Sequence, residues 1–360
     1  MKKAKLTNLK GLSLDNICET AIALGKKAYT GRQLYKWIHN RGVDDFGLMT
    51  DLSKEFRETL QGKFAIDKLA LADKAVSSDG TVKTLWQTRD NLYIESVLIP
   101  DEERLTLCMS SQAGCPLGCS FCATGKLGFK RNLDPGEIYD QYLLTSQALP
   151  EDKRITNIVF MGMGEPFLNY RNLLAAIAIL TNQLGAGLSA KKITVSTVGL
   201  VNGIYKLAED SPSLKLAISL HSAIEQKRIE LIPIAGKNPL ADLKKAAIHY
   251  AHQSDNRVTF EYLLIKDIND SLADAKALAD FARGIPCKIN LISYNPVEGI
   301  GFDRPGDESI SAFRDYLYPR APAVTLRKSR GVDIAAACGQ LAGRVQDKTK
   351  RTQRLAEVHP

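Results

Sequence analysis

Hydrophobic and polar positions divide the chain into a helical first part and a longer second part of alternating strands and helices. Up to about residue 66, apolar residues recur at the three- and four-residue spacing of helices, as do Leu34, Trp37 and Ile38. The pattern predicts a small helical domain over residues 1–66. Several lysines and arginines make this domain basic, which suits an RNA-binding surface and a solvated helical face equally well.

Residues 67–104 have a different pattern. Asp79 and Gly80 form a turn signal between two β-prone runs, which is the usual sign of a hairpin. The runs 84–88 and 92–99 also have the composition of strands. We therefore predict a short antiparallel β extension over residues 67–104.

Between residues 105 and 347, β-like runs alternate with helical stretches. Six such runs follow one another, at 105–109, 155–161, 193–197, 214–220, 258–265 and 288–293. This alternation predicts an α/β fold with a parallel sheet, in the form of a partial barrel. Ligands of such folds bind at the carboxyl ends of the strands. Residues 348–360 form a basic tail.

Composition and charge exclude some classes of protein. The chain has 360 residues, 44% hydrophobic and 24% charged, which is typical of a globular protein with a sizeable core. No run approaches the ~18 apolar residues of a membrane span, and no apolar segment follows the basic start. We therefore expect a cytoplasmic protein without a membrane anchor or signal peptide. The net charge of +8 is compatible with a nucleic-acid partner but does not require one.

The cysteines indicate chemistry. An odd number, with three of them in eight residues, is a poor disulfide framework. Cys115, Cys119 and Cys122 form a C-x3-C-x2-C run just after the first strand of the α/β region. Three thiolates suit an iron–sulfur cluster with one iron open to another ligand, whereas structural zinc needs four ligands. A zinc site would remain the alternative if Cys108 supplied a fourth thiolate.

Small and polar residues follow the other strands, where a barrel would bind its ligand. They are Gly164 and Glu165 after the second strand, Ser196 at the end of the third, Ser219, Leu220 and His221 at the end of the fourth, and Asn295 after the sixth. Glu165 could accept hydrogen bonds from a ligand ammonium group. A lone histidine such as His221 is more often structural, but its place at a strand end favours a functional role.

The cysteine run resembles the signature of radical S-adenosylmethionine (SAM) enzymes. In that superfamily three cysteines hold a [4Fe–4S] cluster, SAM binds the open iron, and the core is a partial (β/α)6 barrel. Residues 161–166 (MGMGEP) and 330–341 (RGVDIAAACGQL) further resemble the RlmN/Cfr family of radical-SAM RNA methyltransferases. The resemblance extends from about residue 28 to about residue 347. It implies a [4Fe–4S] cluster and SAM as cofactors and RNA as the substrate.

The resemblance also implies a methyl transfer through two cysteines. Cys338 is first methylated by one SAM, and a radical from a second SAM takes a hydrogen atom from that S-methyl group. The resulting methylene group adds to an adenine ring. Cys108 then resolves the covalent enzyme–RNA intermediate, which leaves a transient disulfide with Cys338. Glu95 corresponds to the proton acceptor of the family.

The residues themselves leave some of these roles open. Without the resemblance, Cys338 would be interpreted as a buried inert thiol. Glu95 interrupts an apolar strand, where a carboxylate should have a raised pKa, unless it lies exposed on an edge strand. Cys18 and Cys287 match no motif and are interpreted as structural.

Members of the RlmN/Cfr family differ in the adenine carbon that they methylate. RlmN-type enzymes methylate C2 of an adenine in 23S rRNA and of an adenine next to the tRNA anticodon, whereas Cfr-type enzymes methylate C8 of the rRNA adenine. Pro166 after Glu165 makes this chain more similar to the RlmN type. C2 methylation of both RNAs is therefore the predicted activity, with an electron donor such as flavodoxin or ferredoxin and a monomeric enzyme. The alternatives are C8 methylation, a radical-SAM enzyme with another substrate, and a zinc-stabilised RNA-binding module without catalysis.

Overall fold

The computed structural model of the chain describes residues 6–343, so the predicted basic tail lies outside the described residues. Residues 6–66 form three helices and a two-stranded parallel sheet. In chain order these elements are β1 (Thr7–Asn8), α1 (Leu14–Ala23), α2 (Ala28–His39), α3 (Lys54–Lys63) and β2 (Phe64–Ala65). The helical prediction is confirmed, and the small sheet is an addition. The small sheet forms because the two ends of residues 6–66 lie side by side. Next to it, the Leu9 amide donates a hydrogen bond to the Ala65 carbonyl at 2.9 Å.

Three antiparallel strands follow, as the hairpin signal at Asp79 and Gly80 predicts. They are β3 (Ala70–Val76), β4 (Val82–Gln87) and β5 (Tyr93–Asp101). The remaining strands are β6 (Arg104–Cys108), β7 (Gln112–Gly114), β8 (Phe129–Asn132), β9 (Asn157–Phe160), β10 (Ile193–Thr197), β11 (Lys215–Ser219), β12 (Val258–Leu264), β13 (Cys287–Ser293) and β14 (Val324–Arg327).

The later helices connect these strands. They are α4 (Ala123–Lys126), α5 (Pro135–Gln147), α6 (Tyr170–Thr181), α7 (Val201–Asp210), α8 (Glu225–Leu231), α9 (Leu240–Ser254), α10 (Leu272–Ala282) and α11 (Asp307–Leu317). Sequence signals for their ends are visible in the structure. Asp134 caps α5 and exchanges hydrogen bonds with Glu137 in a capping box.

Among the described residues, ten strands form one sheet, in the spatial order β14-β13-β12-β11-β10-β9-β6-β5-β4-β3. Neighbours from β6 to β14 are parallel, and those from β6 to β3 are antiparallel. The six predicted runs correspond to β6 and β9–β13. Strand β14 was missed because it lies at the sheet edge, where its residues are only partly buried or exposed and the apolar pattern is weak.

The antiparallel strands continue the barrel sheet. Val97 of β5 lies opposite Cys108 of β6 in an antiparallel ladder. The boundary predicted at residue 104 therefore falls inside one hydrogen-bonded sheet. The strand order ends at β14 and β3, so the parallel strands form an open, partial barrel, as predicted. The buried interior is apolar, and every residue of β12 is buried, which is typical of a parallel strand covered on both faces.

Polar contacts join the helical region to the barrel. Lys10 and Asp140 of α5 form an ion pair at 2.8 Å, and each side chain is only 2% exposed. His39 Nε2 lies 2.7 Å from the Lys10 carbonyl, and the Tyr139 hydroxyl donates to the carbonyl of His39. No helix within residues 6–343 is long and apolar enough to cross a membrane.

Candidate active site

A pocket opens at the carboxyl ends of the parallel strands and encloses about 1250 Å³, its open mouth included. Most of the predicted site residues lie on its wall. They are Cys108, Cys115, Cys119, Cys122, Gly164, Glu165, Ser196, Ser219, His221 and Cys338. These positions come from five strand ends and from the far end of the chain, and the sheet brings them together.

Two further predicted residues lie beside this wall. Leu220 is fully buried, and its amide donates to the Glu261 carbonyl at 3.0 Å. Asn295 is also buried, and its side-chain amide donates to the Ser293 carbonyl at 3.3 Å. Both contacts hold the ends of the strands from which the pocket is built.

The three clustered cysteines occupy one loop, residues 115–122, which we call the cluster loop. Strands β7 and β8 pair at its base, where the Cys115 amide donates to the Gly128 carbonyl at 3.1 Å. Gly114 has φ +75°, and a Cβ there would lie 1.9 Å from the Gly128 oxygen. Only glycine permits so close an approach. The loop therefore turns sharply enough to place all three thiols on the pocket wall.

The chemistry of this loop fits an iron–sulfur cluster. Burial raises the pKa of the Cys115 thiol to about 12 and also raises that of Cys119, so their thiolates need nearby positive charge. Within residues 6–343, no three His, Cys, Asp or Glu side chains are grouped as ligands of a single ion. A [4Fe–4S] cluster does not need such a group, because each thiolate binds a different iron.

Glu165 is held rigidly at the end of β9. Its Oε1 accepts from the Phe167 amide at 3.1 Å and its Oε2 from the Val198 amide at 2.9 Å. Burial raises the pKa of this carboxyl to about 7, and these hydrogen bonds oppose the shift. A cationic ammonium group in the pocket would stabilise the charged form. Glu165 is therefore suited to bind the ammonium group of a ligand.

His221 acts as a neutral, fixed part of the wall. Its Nδ1 accepts from the Leu263 amide at 3.1 Å, and its ring packs edge-on against Phe121 at 4.8 Å. Burial and the Arg228 guanidinium lower its pKa to about 3. His221 is therefore unprotonated at neutral pH and is unsuited to donate a proton there.

Cys338 and Cys108 face the same part of the pocket. Cys338 lines the pocket and keeps part of its surface exposed, while burial of its thiol raises the pKa of that group. Burial also raises the pKa of Cys108 to about 12, and the nearby Cys338 adds to this shift. All seven cysteines of the chain are free thiols, so the predicted disulfide between Cys108 and Cys338 stays a prediction.

Two further charged residues, Arg327 and Glu261, lie in this region. Arg327, the last residue of β14, lies on the wall, and its guanidinium opposes the pKa increase of both Cys338 and Cys108. Glu261 of β12 also lies on the wall, and its Oε2 is buried without a hydrogen-bond partner. For Glu261 the sequence contains a signal of a special role, because a carboxylate interrupts the apolar run 258–265. Arg327 had no such signal because β14 itself was missed.

Glu95 is buried within its strand, and its neighbours are more polar than the strand pattern implies. Glu95 is 2% exposed, but its Oε1 lies 3.4 Å from Lys83 Nζ and its Oε2 accepts from the Ala342 and Gly343 amides at 2.8 and 3.1 Å. These polar partners come from β4 and from the far end of the chain, which the strand pattern does not include. The alternative prediction, an exposed edge position, is wrong because β5 lies between β4 and β6. Its proposed role as proton acceptor stays a prediction.

Family models match two parts of the chain. Residues 109–281 match the radical SAM superfamily, and residues 7–66 match the ribosomal RNA large subunit methyltransferase N-terminal domain. Together with the open parallel barrel and the cluster loop, these matches define a radical-SAM enzyme.

Individual relatives extend the match over nearly the whole chain. A probable dual-specificity RNA methyltransferase RlmN from Cytophaga hutchinsonii is 43% identical, over 93% of this chain and 92% of its own. The dual-specificity RNA methyltransferase RlmN of Francisella tularensis subsp. holarctica is 44% identical, over 96% of this chain and 95% of its own. The crystal structure of a radical SAM methyltransferase from Sphaerobacter thermophilus superimposes with a TM-score of 0.90 at 41% identity, covering 94% of this chain and 100% of that one.

The chain therefore belongs to the RlmN family of dual-specificity RNA methyltransferases. The resemblance found in its motifs is confirmed. It is a SAM-dependent RNA methyltransferase of the radical-SAM class, with a [4Fe–4S] cluster and SAM as cofactors.

Proposed function

We propose that this enzyme methylates C2 of an adenine in 23S rRNA and of an adenine next to the anticodon in tRNAs, through an S-methylcysteine at Cys338. The observation that carries the proposal is the meeting of Cys338 and Cys108 in the pocket that also contains the cluster loop. The words "dual-specificity" and "RlmN" in the names of the relatives support two RNA substrates and the C2 position rather than C8.

The wall residues divide into two groups of ligands. Cys115, Cys119 and Cys122 would hold the cluster, and SAM would bind against Glu165 and residues at neighbouring strand ends. The latter are Gly164, Ser196, Ser219, Leu220, His221 and Asn295. When bound, the cluster and SAM supply a methyl group and a carbon radical, which the poorly nucleophilic C2 of adenine requires. Cys108 is an electrostatic neighbour of Cys338 rather than a member of the cluster loop, which disfavours a four-thiolate zinc site.

The thiol chemistry depends on charge in the pocket. Cys338 must lose its proton to accept a methyl group, and burial opposes that loss. Arg327 opposes this effect of burial at both cysteines. Cys108 would then attack the sulfur of the Cys338–RNA thioether, form the Cys108–Cys338 bond and break the bond from sulfur to the methylene carbon, which gains a proton as the new methyl group.

The helical region supports an RNA substrate. Lys27, Arg32, Lys36 and Arg41 are exposed on or beside α2, and the Arg41 guanidinium lies 4.0 Å from the Trp37 ring centroid. Such cations neutralise backbone phosphates, and aromatic rings can stack on bases. A reducing partner such as flavodoxin or ferredoxin and a monomeric enzyme complete the proposal.

Mass spectrometry of nucleosides tests the function. We expect 2-methyladenosine in rRNA and tRNA to disappear from a deletion strain, to return with the wild-type gene, and to stay absent with Cys338→Ala. Unchanged 2-methyladenosine in both RNAs of the deletion strain would refute the proposal, and 8-methyladenosine in its place would establish the C8 alternative. Purified protein that binds zinc and is colourless after anaerobic iron–sulfur reconstitution would favour the non-catalytic module.

The role of Cys108 has its own test. Cys108→Ala should leave the enzyme covalently joined to RNA through Cys338, because nothing resolves the thioether. Denaturing gels of enzyme isolated with its RNA would show the adduct, and Cys338→Ala in the same background should remove it. If Cys108→Ala yields no adduct while the wild type is active, Cys108 is not the resolving residue.

A further inference from the structure

We infer that Glu95 and Lys83 form a buried clamp that positions the Cys338 loop, residues 331–343, by binding it on both sides of the cysteine. The inference deepens the proposed function, on which it rests for the role of Cys338 as methyl carrier. It makes Glu95 a positioning residue, and it brings Lys83 into the methyl-transfer machinery.

The pair is formed by two neighbouring strands. On β4 and β5, Leu85 lies opposite Glu95 and Lys83 lies opposite Val97. Lys83 and Glu95 therefore lie diagonally on one face of the sheet, the face that presents Val97 to the pocket. Their side chains are 8% and 2% exposed, and Lys83 Nζ lies 3.4 Å from Glu95 Oε1. A buried pair of this kind is costly to desolvate and contributes to conformational specificity when further hydrogen bonds satisfy it.

Each partner also forms hydrogen bonds to the Cys338 loop. Lys83 Nζ donates to the Ala335 carbonyl at 3.2 Å, before the cysteine. Glu95 Oε2 accepts from the Ala342 and Gly343 amides at 2.8 and 3.1 Å, after the cysteine. Hydrogen bonds to charged groups are stronger than those between neutral groups. The ion pair therefore links the two ends of a short loop, with Cys338 between them.

Both clamped ends have conformations that need support. Ala335 has φ +51°, a left-handed conformation that is unfavourable for alanine. At Gly343, φ is +58°, and a Cβ would lie 3.0 Å from both the Tyr93 carbonyl and the Met163 side chain. Isolated from these contacts, the loop would adopt other conformations and Cys338 would leave its place on the wall.

The same contacts account for two buried charges at this place in the sheet. Both oxygens of Glu95 contact protein groups. Strand β5 contributes Val97 and Ile99 to the pocket wall, but not Glu95. A clamp explains why the carboxylate is buried and why a lysine is buried with it.

Amide hydrogen exchange of the reconstituted holoenzyme tests the clamp. Lys83→Met and Glu95→Gln keep the side-chain volumes and each break the pair. We expect the amides of residues 342 and 343 to exchange at least about tenfold faster in both variants. At saturating SAM, the rate of Cys338 methylation should fall to a similar extent in both, while the KM for SAM stays unchanged. Lys74→Met, an exposed lysine on neighbouring β3, is the matched control and should behave as wild type.

A double variant separates positioning from loss of the fold. Lys83→Met with Glu95→Leu leaves no unpaired buried charge, so the protein should stay folded with a melting temperature only a few degrees lower, while the loop still exchanges rapidly. If Lys83→Met shows wild-type exchange and Cys338 methylation, and Glu95→Gln alone abolishes RNA methylation, the clamp is wrong. Because exchange and Cys338 methylation need no RNA, they can support the clamp even if the RNA products refute the proposed function.

Discussion

The cluster loop and the Cys338 loop lie in one pocket but are built in opposite ways. The cluster loop is closed by its neighbours in the sequence, the paired strands β7 and β8. The Cys338 loop is held by residues more than 200 positions away, such as Ser77, whose hydroxyl donates to Asp333 at 2.6 Å, and Asp79, which accepts from the Gly331 amide at 3.0 Å. Residue spacing can therefore reveal the first loop but not the position of the second.

The largest expected effects are losses of iron and of RNA methylation, and they should distinguish the roles of the two loops. Cys119→Ser should abolish cluster assembly, because one of three thiolate ligands is lost, and RNA methylation with it. Cys338→Ser should also abolish RNA methylation, yet keep the iron content and the brown absorbance. Iron analysis and nucleoside mass spectrometry measure both. Cys18→Ser is the control and should keep iron and activity. A loss of iron in Cys338→Ser would mean that the loops are not separable.

A substitution among the residues proposed to bind SAM should affect the cluster-loop side alone. Gly164 has φ +98°, and a Cβ there would lie 2.5 Å from Gln112 Cβ, at the base of the cluster loop. Gly164→Ala should displace Glu165 and weaken SAM binding by at least about tenfold, as calorimetry would show. Exchange of the Cys338 loop should stay unchanged. Gly187 also has a positive φ, +65°, but a Cβ there would make only an ordinary contact, 3.5 Å from Gln183 Oε1, so Gly187→Ala should leave SAM binding intact. Equal weakening by both would indicate a general loss of the fold.

The direct link between the loops should have a moderate effect. The Thr124 hydroxyl, just after the cluster loop, donates to the Leu341 carbonyl at 2.6 Å. Thr124→Val leaves that carbonyl unpaired, at a cost of about 1 kcal/mol, or about 2 °C in melting temperature. The Cys338 loop should exchange several-fold faster. Thr145→Val removes a buried hydroxyl without a hydrogen-bond partner and should not lower the melting temperature. If the two variants have the same melting temperature, the hydrogen bond between Thr124 and Leu341 does not contribute to stability.

The smallest effect on either loop should come from His39, which lies outside both loops and affects the stability of the whole protein instead. Burial lowers the pKa of His39 to about 4 from a usual 6.5, so the native state takes up this proton less readily than the unfolded chain. The contribution of His39 to the free energy of unfolding is therefore fully present above about pH 6.5. It falls by up to about 3 kcal/mol as the pH decreases towards 4. Urea unfolding between pH 4 and 7 would measure this. His39→Gln should flatten the dependence, and an unchanged dependence would assign it to other groups.

Local patterns anticipated most of the fold. The parallel strands β6 and β9–β13 were visible as apolar runs because they are largely buried, β12 along its whole length, and Asp134 marked the start of α5 by its capping chemistry. Strand β14 was not visible because an edge strand is only partly buried. For the same reason Arg327, at its end, was not recognised as a neighbour of both active-site thiols.

The amino-acid sequence by itself determined the class of chemistry, because three cysteines within eight residues are close in any fold and because the motifs carry a family resemblance. Only the tertiary structure decided what surrounds Cys338, Cys108 and Glu95. Their environment consists of Lys83, Arg327 and backbone amides that the sheet brings together from distant parts of the chain. Burial and charge act through space, so the pKa of a thiol and the partner of a carboxylate depend on packing that residue spacing does not describe.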